Sequence, residues 1–199
     1  MPSIWCALRT FASHAKEMGG QPLTSPQFFL KPWAALAQPP VGCEMMLPKH
    51  LDEVHHEVEL VLKLGEDSTL SQIAVGLDLT DRVTQAVAKS EGMPWTQSKS
   101  FANSAIVGNF VEPPVGLAHL RLELAINGEP RQEALIGEMS FTPLDVLSSL
   151  SHWAPLEKGD LLFCGTPSGI GPLARGDHVQ ARLLREDGTA LSELDLILV

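Results

Sequence analysis

From Leu120 onward the chain alternates apolar and polar positions, with Leu120, Leu122, Leu124 and Ile126 on one side, and the run ends at Asn127-Gly128. The alternation predicts a half-buried strand. Asn-Gly predicts a type I′ turn, with positive φ at both residues, so that residues 130–134 return as a second strand. Asp187-Gly188 predicts another hairpin, between "VQARLL" and "LDLILV". Helical signals occur in two places. In "TPLDVLSSL", Thr142 is the predicted N-cap, Pro143 the first helical residue and Asp145 the partner in a capping box, with Leu144, Leu147 and Leu150 expected on one side. In "TDRVTQAVAKSEG", Val83 and Val87 lie one turn apart and Gly92 suits the position after a helix.

Fifteen prolines and 16 glycines cut the remainder into short pieces, and "LPKH", "VEPPVG" and "GTPSGIGP" read as loops. Strands outnumber helices and often follow one another directly. This predicts a strand-dominated α+β fold, a mixed β-roll or sandwich, with no βαβ repeat. At 199 residues the chain fits a single domain, 1–199. A net charge of -10 with only 14 Lys+Arg disfavours nucleic acid and anionic membranes as partners. The first eight residues lack the features of a signal peptide, and no apolar run approaches the roughly 18 residues of a membrane span, so a cytoplasmic protein is expected. Cys6, Cys43 and Cys164 are odd in number and far apart, which suggests small core residues and no disulfide framework.

Residues 51–65, "LDEVHHEVELVLKLG", crowd charge into the front of an apolar segment. In an extended reading His56, Val58, Leu60, Leu62 and Leu64 share one face, while His55, Glu57 and Glu59 share the other. A helical stripe through Leu51, Val54, Val58 and Val61 competes. The short valine-bearing run, bounded by Leu47-Pro48 and Gly65-Glu66-Asp67, favours the strand. "HHEVEL" is not the H-E-x-x-H of zinc proteases, because Leu60 stands in the place of the second histidine. Adjacent carboxylates repel unless one is protonated, both are solvated, or a cation lies between them. On pattern alone a solvated edge is the more common case. "IAVGLDLTDR" adds Asp78 where a strand over 73–77 gives way to a helix starting near Thr80, and its plain alternative is a helix cap. Together Glu57, Glu59 and Asp78 make an all-oxygen set suited to Mg2+ or Mn2+, with Ca2+ a further hard ion of the same class.

Other candidate groups are weaker singly. "TFASHAKEMGG" sets His14 and Glu17 three apart on a short helix ending at Gly19-Gly20, an imidazole that a carboxylate can orient as a general base, although such pairs are usually surface pairs. Lys99 in "MPWTQSKSF" would ordinarily be a snorkelling surface lysine, and Arg82 and Gln85 a solvated helix face. In "LLFCGTPSGIGP", Thr166 follows a strand and can offer its hydroxyl and N–H to an anion. Gly169, Gly171 and Ala174 fit G-x-G-x-x-A only formally, since Pro172 and the following "RGD" spoil the required helix.

"HHEVEL", "GLDLTDR", "GMPWTQSKSF" and "GTPSGIGP", in this order and at these intervals, resemble the fumarylacetoacetate hydrolase family, and within it the short acylpyruvate hydrolase and oxaloacetate decarboxylase-like branch. The likeness runs from about Arg9 to the C-terminus. It implies a mixed β-roll, a homodimer, and Glu57, Glu59 and Asp78 as ligands of Mg2+ or Mn2+. It further implies that His14 and Glu17 are the catalytic dyad on a segment, residues 1–20, closing over the site. Lys99 would stand beside metal and substrate, with Arg82, Gln85 and Thr166 on the substrate. His55 and His56 are expected to support or pack. The expected activity is metal-dependent C–C bond hydrolysis of a small acylpyruvate-type 2-oxo acid. Oxaloacetate decarboxylation or tautomerisation and 2-hydroxyhepta-2,4-diene-1,7-dioate isomerisation are alternatives on the same site, and a catalytically silent binding protein is the alternative of another class. Leu8-Arg9-Thr10-Phe11 replaces the G-R-N-Y common in relatives, a change expected to alter polar groups near the entrance.

Overall fold

The alternation over Val58–Leu64 is present, but both faces of that strand are buried. The computed structural model describes every residue except Met1, Pro22 and Asp52. Its strands, in chain order, are β1 (Ile4–Ala7), β2 (Phe28–Lys31), β3 (Leu36–Ala37), β4 (Cys43–Met45), β5 (Val54–His56), β6 (Val58–Leu64), β7 (Leu70–Asp78), β8 (Thr80–Asp81), β9 (Ala105–Val107), β10 (Arg121–Ile126), β11 (Glu129–Leu135), β12 (Leu161–Phe163), β13 (Gly171–Pro172), β14 (His178–Leu184) and β15 (Ala190–Leu198). The α-helices are α1 (Ala12–Glu17), α2 (Arg82–Glu91), α3 (Thr96–Lys99) and α4 (Pro143–Ser151). A seven-stranded sheet runs β2-β1-β12-β6-β7-β9-β3 and a five-stranded one β11-β10-β14-β15-β4, with a small β13-β5-β8 sheet beside them. The pairs β1–β12, β3–β9 and β4–β15 are parallel and the other ladders antiparallel, so the larger sheets are mixed, as expected.

The two larger sheets face each other through β6 and β7 on one side and β10, β14 and β15 on the other. Val58, Leu60, Leu62 and Leu64 enter this main core with Ile73, Val75, Leu122, Leu124, Val179 and Leu196. Each such side chain, withdrawn wholly from water, stabilises the fold by about 1.5–3 kcal/mol before entropy is counted. The opposite face of the seven-stranded sheet carries a second cluster of Ile4, Cys6, Val61, Ala74, Ala105, Val107, Leu161 and Phe163. Burial of this second face covers the acidic positions in line with Val61. Cys6 and Cys164 are buried, Cys43 is half-buried, and all three are free thiols.

The predicted turns form. Asn127 and Gly128 have φ of 54° and 80°, the sign that a type I′ turn requires. Gly188 has φ 82° between β14 and β15. The Thr142 hydroxyl accepts from Asp145 N–H, and Asp145 Oδ2 accepts from Thr142 N–H. Two predicted apolar faces are corrected. Leu144 is 55% exposed, because the inward stripe of α4 is Pro143, Val146, Leu147 and Leu150, an i, i+3, i+4, i+7 set. Val83 and Val87 on α2 are also exposed, while Gln85 and Ala88 face inward. The helix start likewise moves from near Thr80 to Arg82, with Asp81 as the N-cap accepting from Thr84 N–H, which leaves Asp78 free of any capping role.

Gly76 is paired with Glu59 across β6 and β7. A Cβ there would stand 2.5 Å from Val61 Cγ2, 2.8 Å from Phe163 Cε1 and 3.0 Å from the Ile106 carbonyl oxygen. Gly76→Ala should therefore lower stability by about 1–3 kcal/mol. The expected result is a lower urea midpoint at unchanged slope; an unaltered midpoint would contradict this packing.

Candidate metal centre and catalytic cleft

Strand register brings the three acids together. Val58 pairs with Leu77 and Glu59 with Gly76, and just beyond the ladder Asp78 N–H donates to the Glu57 carbonyl at 2.9 Å. One ligand oxygen from each of Glu57, Glu59 and Asp78 lies within 4.8 Å of the others. They are 6%, 2% and 1% exposed, which rules out a solvated edge.

Three cations meet them. Lys99, at the end of α3, donates to Glu57 Oε2 at 2.9 Å and to Asp78 Oδ2 at 2.6 Å. It is buried, so the snorkelling reading is excluded. Arg82 donates to Glu57 Oε1 and, at 2.8 Å, to Gln85 Oε1; Thr80 adds its hydroxyl to Glu57 Oε1 at 3.1 Å. The third cation, Lys31, escaped the sequence analysis. It closes β2 at 1% exposure, with Nζ 2.8 Å from Asp78 Oδ1. Its hydrogens go to the carbonyls of Leu79, Lys99 and Ser104, at 3.0, 2.5 and 2.8 Å. The only signal in the sequence is a lysine ending the apolar run "FFLK".

Proton equilibria follow from this packing. Burial opposes ionisation of Glu57, but Lys99 and Arg82 outweigh it and hold its carboxyl well below the usual range. Glu59 behaves oppositely: burial, then Asp78 and Glu57, push its carboxyl up, against one compensating hydrogen bond from Gly165 N–H at 2.6 Å. Asp78 Oδ1 is buried, met by the Lys31 ammonium but accepting no hydrogen bond. It stands beside a carboxyl made hard to ionise by burial and by its acidic neighbours, an arrangement that a divalent cation would relieve. The all-oxygen donor set suits Mg2+ or Mn2+.

His14 and Glu17 lie on α1, and the chain leaves it through Gly19 at φ 67°. His14 Nδ1 is 3.1 Å from Glu17 Oε2, and Glu17 Oε1 accepts from Gly169 N–H at 3.0 Å. The dyad is thereby fastened to the loop that carries Thr166. His14, Glu57, Glu59, Asp78, Arg82, Gln85, Lys99 and Thr166 line one cleft. Within residues 1–20, Ile4–Ala7 is a buried strand of the sheet that reaches the cleft only at its last residue, Ala7, and Leu8, Arg9, His14 and Met18 line the cleft beyond it. Thr10 and Phe11 are also buried, so they do not remodel the entrance as expected; Leu8 alone of the substituted positions lines the cleft. Thr10 instead donates to the Cys164 carbonyl at 2.6 Å. It packs against Gly165, where a Cβ would fall 2.1 Å from Thr10 Oγ1. His55 is half-buried, 2.6 Å from Glu53 Oε1, and His56 is buried against Gln132; the carboxylate cluster includes neither.

A strand-rich mixed roll that buries a carboxylate triad beside a histidine–glutamate pair is the type of site the sequence motifs implied. Residues 3–194 match the fumarylacetoacetate (FAA) hydrolase C-terminal family, and the chain belongs to the fumarylacetoacetate hydrolase family. The mitochondrial oxaloacetate tautomerase of Mus musculus is 39% identical over 191 residues, covering 90% of this chain and 86% of that protein. The structure of fumarylpyruvate hydrolase from Pseudomonas aeruginosa, in complex with Mn2+ and pyruvate, superposes with a TM-score of 0.88 at 32% identity, covering 100% of this chain and 91% of that one. A structure from Oleispira antarctica assigned to fumarylacetoacetate isomerases/hydrolases gives 0.92 at 33% identity, covering 100% and 94%. Among the described residues no helix is long and apolar enough to cross a membrane.

Removing one partner of a buried ion pair leaves the other uncompensated. Lys31→Met, which also strips donors from three carbonyls, should cost about 3 kcal/mol of stability. Thermal and urea unfolding measure it, and wild-type stability would show that Lys31 is not needed to hold Asp78.

Proposed function

We propose that the chain interconverts the keto and enol forms of a small 2-oxo dicarboxylic acid, with oxaloacetate the substrate its relatives favour, when Glu57, Glu59 and Asp78 hold Mg2+ or Mn2+. The observation that carries this reading is that His14, oriented by Glu17, lines the same cleft as the three carboxylates. A bound divalent ion supplies a Lewis acid for the oxygens of a 2-oxo acid. The residues do the rest. With Nδ1–H donated to Glu17, neutral His14 keeps its Nε2 lone pair for substrate. Nε2 takes a proton from the carbon next to the 2-oxo group and returns it to the 2-oxo oxygen. One C–H bond is exchanged for one O–H bond, and no water is consumed. Burial lowers the affinity of Lys99 for its proton, but Asp78 and Glu57 outweigh that effect and raise it, so Lys99 remains a cation beside the oxygen where negative charge develops.

Arg9 and Lys89 support a diacid. Both line the cleft, Lys89 with its ammonium 5.1 Å from the Trp95 ring centre, and among the described residues no carboxylate forms a salt bridge with either. Two unpaired cations fit a second carboxylate on the substrate. C–C hydrolysis of a dicarboxylic acylpyruvate is the second reading, favoured by the likeness to fumarylpyruvate hydrolase. In it His14 Nε2 takes a proton from water, the resulting hydroxide adds to the carbonyl beyond the bond that breaks, and the C–C electron pair leaves as the enolate of the 2-oxo acid, which takes the proton back from His14.

A substrate panel with Mn2+ distinguishes the readings: enol absorbance from oxaloacetate reports tautomerisation, and released acid from an acylpyruvate reports cleavage. His14→Ala should reduce the dominant activity about 10²- to 10⁴-fold while leaving Mn2+ affinity unchanged. Arg9→Gln with Lys89→Gln should raise KM for the diacid but not for a monocarboxylic acylpyruvate. Wild-type turnover in the His14 variant would remove the proposed base.

A further inference from the structure

β11 is mostly exposed, yet Gln132 on it is 2% exposed and reaches between the sheets toward the cleft. A buried amide is tolerated only when its hydrogen bonds are made. Gln132 makes four. Oε1 accepts from Val58 N–H at 3.0 Å and faces His56 Nδ1 at 2.9 Å. Nε2 donates to the Pro167 carbonyl at 2.8 Å and to Thr166 Oγ1 at 2.8 Å.

Two backbone groups remove any ambiguity about which way the amide points. A backbone N–H can only donate, so the atom facing Val58 is oxygen; a carbonyl can only accept, so the atom facing Pro167 is nitrogen. His56 Nδ1 must then carry a hydrogen. At the other end, Thr166 Oγ1 is obliged to accept. A threonine hydroxyl has one hydrogen to give, and among the described residues that of Thr166 goes to no acceptor in the chain. Thr166 lines the cleft beside Glu59, Asp78 and Lys99.

We propose that Gln132 is a positioning residue that fixes the Thr166 hydroxyl as a hydrogen-bond donor toward the substrate's carboxylate, with His56 and the Val58 N–H holding the amide in the orientation this requires. The inference rests on the reading above that a 2-oxo acid occupies the cleft. Gln132 touches no substrate. It selects the polarity of a group that does, and it prevents the hydroxyl from spending its hydrogen on the protein.

The test is a double-mutant cycle on the Mn2+-loaded chain, read as the Kd for pyruvate and as KM and kcat for oxaloacetate. Thr166→Val should weaken pyruvate binding about tenfold, the effect of losing one hydrogen bond to a charged group. Gln132→Met should do the same while changing kcat little, and the double variant should be no weaker than Thr166→Val alone. Gln132→Glu keeps the acceptor toward Val58 and His56 but, when ionised, turns the donor end into an acceptor; it provides the same cycle if Gln132→Met fails to fold. Losses that multiply in the double variant, or a Kd for Gln132 variants within twofold of wild type, would overturn the inference while Thr166 kept its role. An unchanged Kd in Thr166→Val would overturn the role of Thr166, and the inference with it.

Discussion

Three carboxylates withdrawn from water within 4.8 Å of one another are the constraint around which the rest of the structure is arranged. Left alone they would repel strongly, and each would carry a desolvation penalty of several kcal/mol. The chain answers with Lys99 bridging Glu57 and Asp78, Arg82 on Glu57 and Lys31 on Asp78. These cations arrive from three separate elements, α3, the start of α2 and the end of β2. Their convergence requires the seven-stranded sheet, its second apolar face and the helix after β7 to be correctly assembled. Site and fold are one cooperative object here.

The compensation is unequal. Glu57 contacts two cations and a hydroxyl, whereas Glu59 accepts one backbone hydrogen bond and stands next to two acids. That asymmetry makes Glu59 the least compensated carboxyl of the three, and the one whose ionisation a hard divalent ion would favour most. Thr10 supports the same place indirectly. It holds the Cys164 carbonyl, and the peptide that follows turns its N–H toward Glu59, at a glycine with φ 98° that no larger residue could replace beside Thr10.

Much of this was legible in the sequence because it is written locally. The hairpins at Asn127-Gly128 and Asp187-Gly188 and the capping box at Thr142 depend on a few adjacent residues. The acids could be grouped because alternation on one strand and the end of the next puts them on one face. Lys31 and Gln132 could not be found that way. Their partners lie 47 and 34 residues away in sequence, at Asp78 and Thr166, and nothing near either residue marks it as buried. Periodicity also misjudged α2 and α4, since it tells how residues cluster around a helix but not which cluster turns inward. On α2 the inward position belongs to Gln85, which meets Arg82 at the cleft, so the valines face out. The replaced motif at Thr10 and Phe11 misled for a related reason: its place in the order of motifs is near the entrance, while its side chains pack beneath it.

The most direct measurement is Mn2+ binding to the purified chain, followed by electron paramagnetic resonance of the free ion, in wild type and Glu59→Gln. Glu59 is the informative choice, because neutralising it breaks no ion pair within the protein. The account predicts one Mn2+ per chain in wild type and an affinity at least about tenfold weaker in the variant, the loss expected when a ligand carboxylate becomes an amide. Equal affinity in the two proteins would contradict a metal centre built on Glu57, Glu59 and Asp78.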